Sequence, residues 1–84
     1  MELPEYFVYL IESDKDGIWY IGLSVEPDER LKQHNKGKSK FTKGHIPWRL
    51  LYKEKVGSLQ LARRKEKYYK TSAGKRRLKK ILGN

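Results

Sequence analysis

Few side chains in this sequence could take part in chemistry. The chain has no cysteine, two histidines and six tyrosines. Residues 30–84 carry 19 basic side chains and only two acidic ones, Glu54 and Glu66. A lone carboxylate in so positive a segment either forms an ion pair with a basic neighbour on its own helix or binds a cation. Glu66 is therefore a candidate ligand for a divalent metal ion, with an ordinary ion pair as the alternative.

Two further pairs of residues are candidates because of their spacing. Arg30 and His34 are four residues apart, so on a helix they project from one face about one turn from each other. Tyr9 and Tyr20 lie in the middle of two predicted strands. Taken alone, each pair has an ordinary explanation: a solvated helix face for Arg30 and His34, and core rings with hydrogen-bonded hydroxyls for the tyrosines.

The elements that would position these residues follow the order ββαβαα. Alternating and aromatic-rich segments predict strands over residues 6–11, 18–23 and 48–53, the first two joined by a turn at 13–17. Pro27 suits the first turn of a helix that Ser24 or Glu26 caps, and Gly37 is its expected terminator. Further helices are predicted over 59–69 and 75–82, with a basic loop at 36–44 and a helix break at 71–74. We expect an α+β domain with a three-stranded, mostly antiparallel sheet flanked by helices.

Composition limits the class of protein. With 84 residues the chain is expected to form a single domain over residues 1–84. The absence of cysteine excludes disulfides and zinc–thiolate sites, and no apolar run is long enough for a membrane span, so we expect a cytoplasmic protein. Residues 1–29 sum to a charge of −7 and residues 30–84 to +17, giving +10 overall. The expected large partner is a polyanion.

Five segments in order resemble the GIY-YIG nuclease family, and the likeness extends from residue 6 to about residue 82. The family's first motif corresponds to Phe7-Val8-Tyr9, where only the tyrosine matches strictly. Its second is intact as Tyr20-Ile21-Gly22, with ten residues between the two tyrosines. The remaining segments lie at residues 29–35, at 37–42 together with 47–52, and at 62–67. They are similar to the family's first helix, to a stretch of its small stand-alone members, and to the helix that carries its metal ligand.

This resemblance implies a role for each candidate residue in hydrolysing a phosphodiester bond. Glu66 would hold Mg²⁺ or Mn²⁺, and Arg30 would bind the scissile phosphate. Tyr9 or Tyr20 would orient or deprotonate the attacking water, and the sequence leaves open which does so. His34 would relay a proton for that phenol.

Basic residues supply the expected binding surface for nucleic acid. They form two groups, one in the loop after the first helix and one in the last helix: Lys36, Lys38, Lys40 and Lys43, and Lys75, Arg76, Arg77, Lys79 and Lys80. Contacts of this kind hold phosphates without reading sequence, so binding should be sensitive to salt.

The sequence thus predicts a metal-dependent endonuclease acting on DNA, selective for structure rather than for sequence. It is expected to be a monomer, with a dimer left open. Two alternatives remain: a non-catalytic nucleic-acid-binding module on the same scaffold, and a basic protein bound to an acidic protein or to ribosomal RNA.

Overall fold

The computed structural model describes residues 3–83 and contains one antiparallel sheet with β1 at its centre, in the order β2-β1-β3. The elements are β1 (Tyr6–Ser13), β2 (Trp19–Ser24), α1 (Pro27–Asn35), a short 3-10 helix (Thr42–His45), β3 (Trp48–Gly57), α2 (Leu59–Tyr69) and α3 (Ser72–Ile81). The predicted ββαβαα order and the α+β class are confirmed. Within residues 3–83, no helix combines the length and the apolar character needed to cross a bilayer.

Helices cover both faces of the sheet. On one face, Val8, Leu10 and Ile21 pack against Ala62 of α2 and Leu78 of α3. Because side chains alternate along a strand, the residues between these point to the opposite face. The core on the α2–α3 face is thus mainly apolar, and it also contains Tyr69.

The second face lies under α1 and carries the aromatic residues of the hairpin. Tyr9, Ile11 and Trp48 are buried there, with Tyr20 and Leu31 of α1 packed against them. The register places Tyr9 directly opposite Gly22 on β2. The first tyrosine and the second motif's glycine are therefore neighbours in the sheet.

The strand β3 is longer than the sequence predicts and continues to Gly57 instead of ending at residue 53. Pairing with β1 extends as far as Tyr6 opposite Gly57. The added residues include Glu54 and Lys55, which have little intrinsic preference for a strand. Backbone pairing with the central strand therefore overrides local propensity in this segment. The strand β2 is shifted by one residue from the predicted 18–23 and spans Trp19–Ser24.

The predicted break between the last two helices is present, but it is shorter than residues 71–74, because α3 begins at Ser72. Thr71 caps the helix, and its hydroxyl accepts a hydrogen bond from the Gly74 amide at 3.0 Å. A Cβ at position 74 would lie 2.0 Å from the Tyr68 carbonyl oxygen, so glycine allows α3 to start against the end of α2. The cap of α1 also differs from the prediction. Glu26 occupies the N-cap position, but its side chain makes no capping hydrogen bond.

Candidate active site

The Tyr9 ring crosses the neighbouring strand directly above Gly22. A Cβ at position 22 would lie 2.5 Å from the Tyr9 hydroxyl oxygen, closer than any side chain tolerates. Glycine is therefore required here by close approach, and it lets the phenol reach past β2 toward α1. The tyrosine of the first motif depends on the glycine of the second.

A continuous chain of side-chain hydrogen bonds begins at this phenol. The Tyr9 hydroxyl is 2.9 Å from His34 Nε2, and His34 Nδ1 is 2.7 Å from the Thr42 hydroxyl. Tyr9 is 1% exposed, and His34 and Thr42 are completely buried. Side chains from β1, from α1 and from the loop after α1 are thus joined in the protein interior.

Asn35 and Trp48 hold this chain in place. The Asn35 amide donates to the Trp48 carbonyl at 2.9 Å and accepts from the Trp48 amide at 2.6 Å. The Trp48 indole in turn donates to the Thr42 carbonyl at 2.8 Å. Sequence reasoning gave Asn35 and Thr42 no role, because contacts made across a loop leave no periodic signal.

Tyr20 forms the more open side of the site. Its ring centroid is 5.1 Å from that of His34 and 6.4 Å from that of Tyr9. Phe41, which is 55% exposed, stacks on Tyr20 with a centroid distance of 6.0 Å. Tyr20 therefore lies between the buried hydrogen-bond chain and an aromatic surface in the basic loop.

Arg30 lies one turn before His34 on α1, beside the Tyr9 hydroxyl. One of its terminal nitrogens donates to the Gln33 side chain at 2.8 Å. The residue also lines a groove of about 500 Å³, together with Leu23 and Glu29. A permanently charged, planar donor is thus placed where the buried phenol approaches the surface.

Burial is the main cause of the pKa shifts of Tyr9 and His34. It raises the pKa of Tyr9 to about 12, and nearby Tyr20 contributes to the increase while Arg30 opposes it. Burial lowers the pKa of His34 to about 4, and the positive charge of Arg30 acts in the same direction. At neutral pH the phenol is therefore protonated and the imidazole is uncharged.

Glu66 lies on α2, which packs on the face of the sheet opposite to α1. It follows Ala62 by four residues and precedes Tyr69 by three, so it belongs to the helix face that these two buried residues define. Its side chain is 23% exposed and its carboxylate is 3.6 Å from Lys70 Nζ. The negative charge of Glu66 is also one of the causes that raise the pKa of Tyr9. The structure thus groups Tyr9, Tyr20, Arg30 and His34, whereas Glu66 lies on a different helix and its charge has a small effect on the pKa of Tyr9.

Glu54, the other acid of the basic segment, is held by hydrogen bonds and an ion pair within the fold. Its carboxylate accepts hydrogen bonds from Tyr52 at 2.9 Å and from Tyr69 at 2.6 Å, and it pairs with Lys65 at 3.4 Å. Although burial opposes ionisation, the two phenols and Lys65 together hold its pKa below the usual value. Its oxygens are committed to these partners, which leaves Glu66 as the carboxylate available to a ligand.

The donor set at Glu66 suits a hard divalent cation. No group of three or more His, Cys, Asp or Glu side chains comes together within residues 3–83. Mg²⁺ commonly keeps several waters and takes one or two protein carboxylates plus phosphate oxygens of a substrate. A single, partly exposed carboxylate fits that pattern.

The nine basic residues predicted to bind nucleic acid are all exposed. None of them forms an ion pair with any residue in the part of the chain that the structure describes. By contrast, five acids of the first 29 residues pair with a lysine or an arginine outside this set, and Asp16 contacts His45. The loop group surrounds Phe41 and Thr42 and so lies beside Tyr20 and His34. The α3 group lies on the opposite face of the sheet, with α2.

The comparison with protein families agrees with this arrangement. A model of the GIY-YIG catalytic domain matches residues 5–80. The chain belongs to the GIY-YIG family. This is a nuclease family, and the match spans every element of the fold.

Similar proteins carry names that specify no activity. UPF0213 protein SAG0778 of Streptococcus agalactiae is 38% identical over 71 residues, covering 83% of this chain and 78% of that one. UPF0213 protein YazA of Bacillus subtilis is 33% identical over 78 residues, covering 92% of this chain and 78% of that one. UPF0213 protein BH0048 of Halalkalibacterium halodurans is 45% identical over 47 residues, 55% of this chain and about half (49%) of that one.

The fold also resembles a solved structure. The solution NMR structure of UPF0213 protein BH0048 from Bacillus halodurans matches 92% of this chain and 84% of that chain, with 34% identity and a TM-score of 0.56. This similarity supports the same GIY-YIG fold.

Proposed function

We propose that this GIY-YIG protein is a metal-dependent endonuclease that hydrolyses phosphodiester bonds in DNA and selects its substrate by structure rather than by sequence. The observation that supports this most directly is the convergence of Tyr9, Arg30 and His34. A buried phenol lies beside both an imidazole and a guanidinium, in a domain that belongs to a nuclease family.

Arg30 is suited to bind the scissile phosphate. Hydrolysis develops additional negative charge on the phosphate oxygens, and a guanidinium can donate two parallel hydrogen bonds to them. The Arg30 side chain donates one hydrogen bond to Gln33 and also lies beside the Tyr9 hydroxyl, and its guanidinium has five N–H groups, which is enough to bind a phosphate as well. Its place in an open groove gives a phosphate access to it.

A tyrosine is proposed to orient the attacking water and to take its proton. With a pKa of about 12, Tyr9 is protonated at neutral pH in the free protein, so it first hydrogen-bonds to that water. It accepts a proton only when nearby positive charge lowers its pKa. Tyr20, which is more exposed, is the alternative for the same role.

Glu66 is the proposed ligand of the divalent cation. A bound Mg²⁺ or Mn²⁺ would supply positive charge to the phosphate and to the leaving oxygen. Glu66 and Lys70 are both partly exposed, so binding of the cation exchanges a weak surface ion pair for metal coordination. The protein's own contribution is a carboxylate held on the sheet-facing side of α2.

The substrate class follows from the basic residues. The loop group contains four lysines that pair with no acid among residues 3–83, and near the site they would hold the phosphates that flank the scissile bond. A single module of this size lacks the surface for extended base recognition. We therefore propose selection by the shape of the DNA.

A non-catalytic nucleic-acid-binding protein is the second candidate. It is favoured by the burial of Tyr9, which is 1% exposed and already hydrogen-bonded within the fold. In that case the phenol would only stabilise the fold, and the basic residues alone would carry the function.

The test is cleavage of labelled single-stranded, duplex and branched DNA in Mg²⁺, Mn²⁺ or a chelator. We expect cutting of branched DNA that needs metal and that falls by about 100-fold or more in Glu66→Gln. Glu5→Gln is the matched control because it removes an exposed glutamate paired with Lys55. Salt-sensitive binding without cutting under any condition would leave the binding module, and cutting that persists in the chelator would exclude the proposed metal dependence.

A further inference from the structure

Phe41 presents an aromatic ring to solvent in the middle of the basic loop. Its side chain is 55% exposed, more than that of any other aromatic residue among residues 3–83. Lys40 precedes it and Lys43 follows two positions later, and both are exposed. Covering the ring would remove apolar area from water, so this surface favours a ligand that is flat and apolar on one side and anionic on the other.

Tyr20 and His45 contact the Phe41 ring from the side of the protein. The centroid of that ring is 6.0 Å from that of Tyr20, with an angle of 28° between the planes, and 5.3 Å from that of His45. Tyr20 and His45 in turn lie against the buried residue Trp48, with centroid distances of 6.3 and 6.0 Å. The exposed part of the Phe41 side chain therefore faces away from the fold.

The residue that follows Phe41 fixes its backbone. Thr42 is completely buried, its hydroxyl is 2.7 Å from His34 Nδ1, and its carbonyl accepts a hydrogen bond from the Trp48 indole at 2.8 Å. Because Thr42 is anchored in the interior, Phe41 is held at the surface beside it. A ring that is positioned before binding loses little conformational entropy when a ligand stacks on it.

We propose that Phe41 is a stacking platform for an unpaired nucleobase of DNA. Every base has a flat π-face, so stacking on an aromatic side chain needs no particular sequence, while neighbouring lysines hold the phosphates. A base inside a duplex stacks on its neighbours and must be extruded, at a cost, before it can offer that face. The platform therefore favours DNA with a single-stranded stretch or an unpaired base at a branch.

Tyr20 connects this platform to the candidate active site. Its ring contacts Phe41 on one side and lies 5.1 Å from His34 and 6.4 Å from Tyr9 between centroids. A base on Phe41 would thus belong to a nucleotide close to the bond that is cut. This last step rests on the proposed nuclease function, whereas the stacking itself does not.

The first experiment needs no substitution. The sequence contains two phenylalanines, so ¹³C-labelled phenylalanine gives ring signals from Phe7 and Phe41 alone. The metal-free, full chain is titrated with a single-stranded, purine-rich DNA oligonucleotide. We expect the Phe41 signals to move upfield under the ring current of the stacked base and those of Phe7, a half-buried residue of β1, to stay in place. Unshifted Phe41 signals in the complex would overturn the proposal.

Binding titrations in a chelator test the same ring by substitution. Phe41→Leu keeps an apolar side chain without a π-face, and we expect it to lose about tenfold in affinity for the single strand and less than about twofold for a duplex of equal length. Phe41→Trp should keep the wild-type preference. The matched control is Tyr68→Leu, since Tyr68 is 41% exposed on α2, and it should change neither affinity. No loss in Phe41→Leu, or equal losses on both DNAs, would overturn the proposal.

Cleavage assays separate this inference from the proposed function. A preference for single-stranded DNA that depends on Phe41, in a protein that cuts no DNA, would support the platform while refuting the nuclease. A protein that cuts DNA but keeps the wild-type preference in Phe41→Leu would support the nuclease while refuting the platform.

Discussion

The Tyr9 hydroxyl lies 2.9 Å from His34 Nε2, although 25 residues separate the two in the chain. One residue belongs to the central strand and the other to α1, so their contact fixes how the helix sits on the sheet. The same contact places Arg30, one turn earlier, beside the phenol. The hydrogen bond therefore connects the packing of α1 with the chemistry proposed for the site.

Replacing Tyr9 with phenylalanine keeps the ring and removes the oxygen. We expect cleavage to fall by about 100-fold or more, the usual contribution of a positioned acid–base group. Stability should fall by about 1–3 kcal/mol, because His34 loses a partner in a buried site. Cleavage rates and urea unfolding measure the two effects.

Tyr68→Phe is the matched control for that substitution, since Tyr68 is 41% exposed on α2 and no side-chain hydrogen bond reaches its hydroxyl within residues 3–83. It should leave both rate and stability nearly unchanged. If Tyr9→Phe cuts as fast as this control, Tyr9 has no catalytic role.

Acidification should destabilise the fold through His34. Its pKa is about 4 in the folded protein, because of burial and then Arg30, and about 6.5 in an unfolded chain. The unfolded state therefore binds more protons in this window, so the stabilisation is complete above pH 6.5 and is lost as the pH falls toward 4. We expect the free energy of unfolding to drop by about 2 kcal/mol between about pH 7.5 and pH 5.

Two variants assign that loss to one residue. His34→Gln should flatten the dependence on pH in the same urea experiments. His45→Gln should retain it, because His45 is partly exposed and hydrogen-bonded to the carboxylate of Asp16. An equally steep dependence in both variants would mean that other groups are responsible.

Gly22→Ala should displace the Tyr9 ring, since the added Cβ would lie 2.5 Å from its hydroxyl oxygen. We expect a loss of about 1–3 kcal/mol in unfolding free energy and a parallel loss of cleavage. Gly44→Ala is the control because a Cβ there meets no atom within 4 Å. Equal stability of the two variants would show that the phenol is free to move.

Substituting the loop lysines by glutamine should weaken DNA binding in a salt-dependent way. If Lys36, Lys38, Lys40 and Lys43 each neutralise one phosphate, the slope of log affinity against log salt should become shallower by about 3–4 units. Lys32, Lys53 and Lys55 are exposed but ion-paired, so their replacement should change the slope much less. Binding titrations on duplex DNA at several salt concentrations measure both, and equal changes would show that the loop has no special role.

Local patterns in the sequence were sufficient for most of the fold. Alternating apolar residues gave the hairpin, and Pro27 and Gly37 gave the bounds of α1. The start of α3 could not be predicted, because Gly74 is there for its close approach to the Tyr68 carbonyl and not to end a helix. Likewise, the end of β3 depends on backbone pairing with a distant strand.

In the candidate site, too, some contacts could be predicted from the sequence and others could not. The spacing of Arg30 and His34 on one helix predicted that they would lie together. The contacts of Thr42 with His34 and of Asn35 with Trp48 are made across a loop, and nothing in their spacing indicates them. The catalytic roles of Tyr9, Tyr20, Arg30, His34 and Glu66 remain predictions for the experiments above.

The double hydrogen bond between Asn35 and the Trp48 backbone joins the two ends of the segment that carries the loop lysines. Because these hydrogen bonds fix the base of the loop, a conformational change at its tip need not move the residues outside the loop. Changes at positions 38–40 can therefore alter how strongly the protein grips a polyanion while Tyr9 and His34 keep their geometry. Affinity and reactivity can thus evolve, or be engineered, as separate traits.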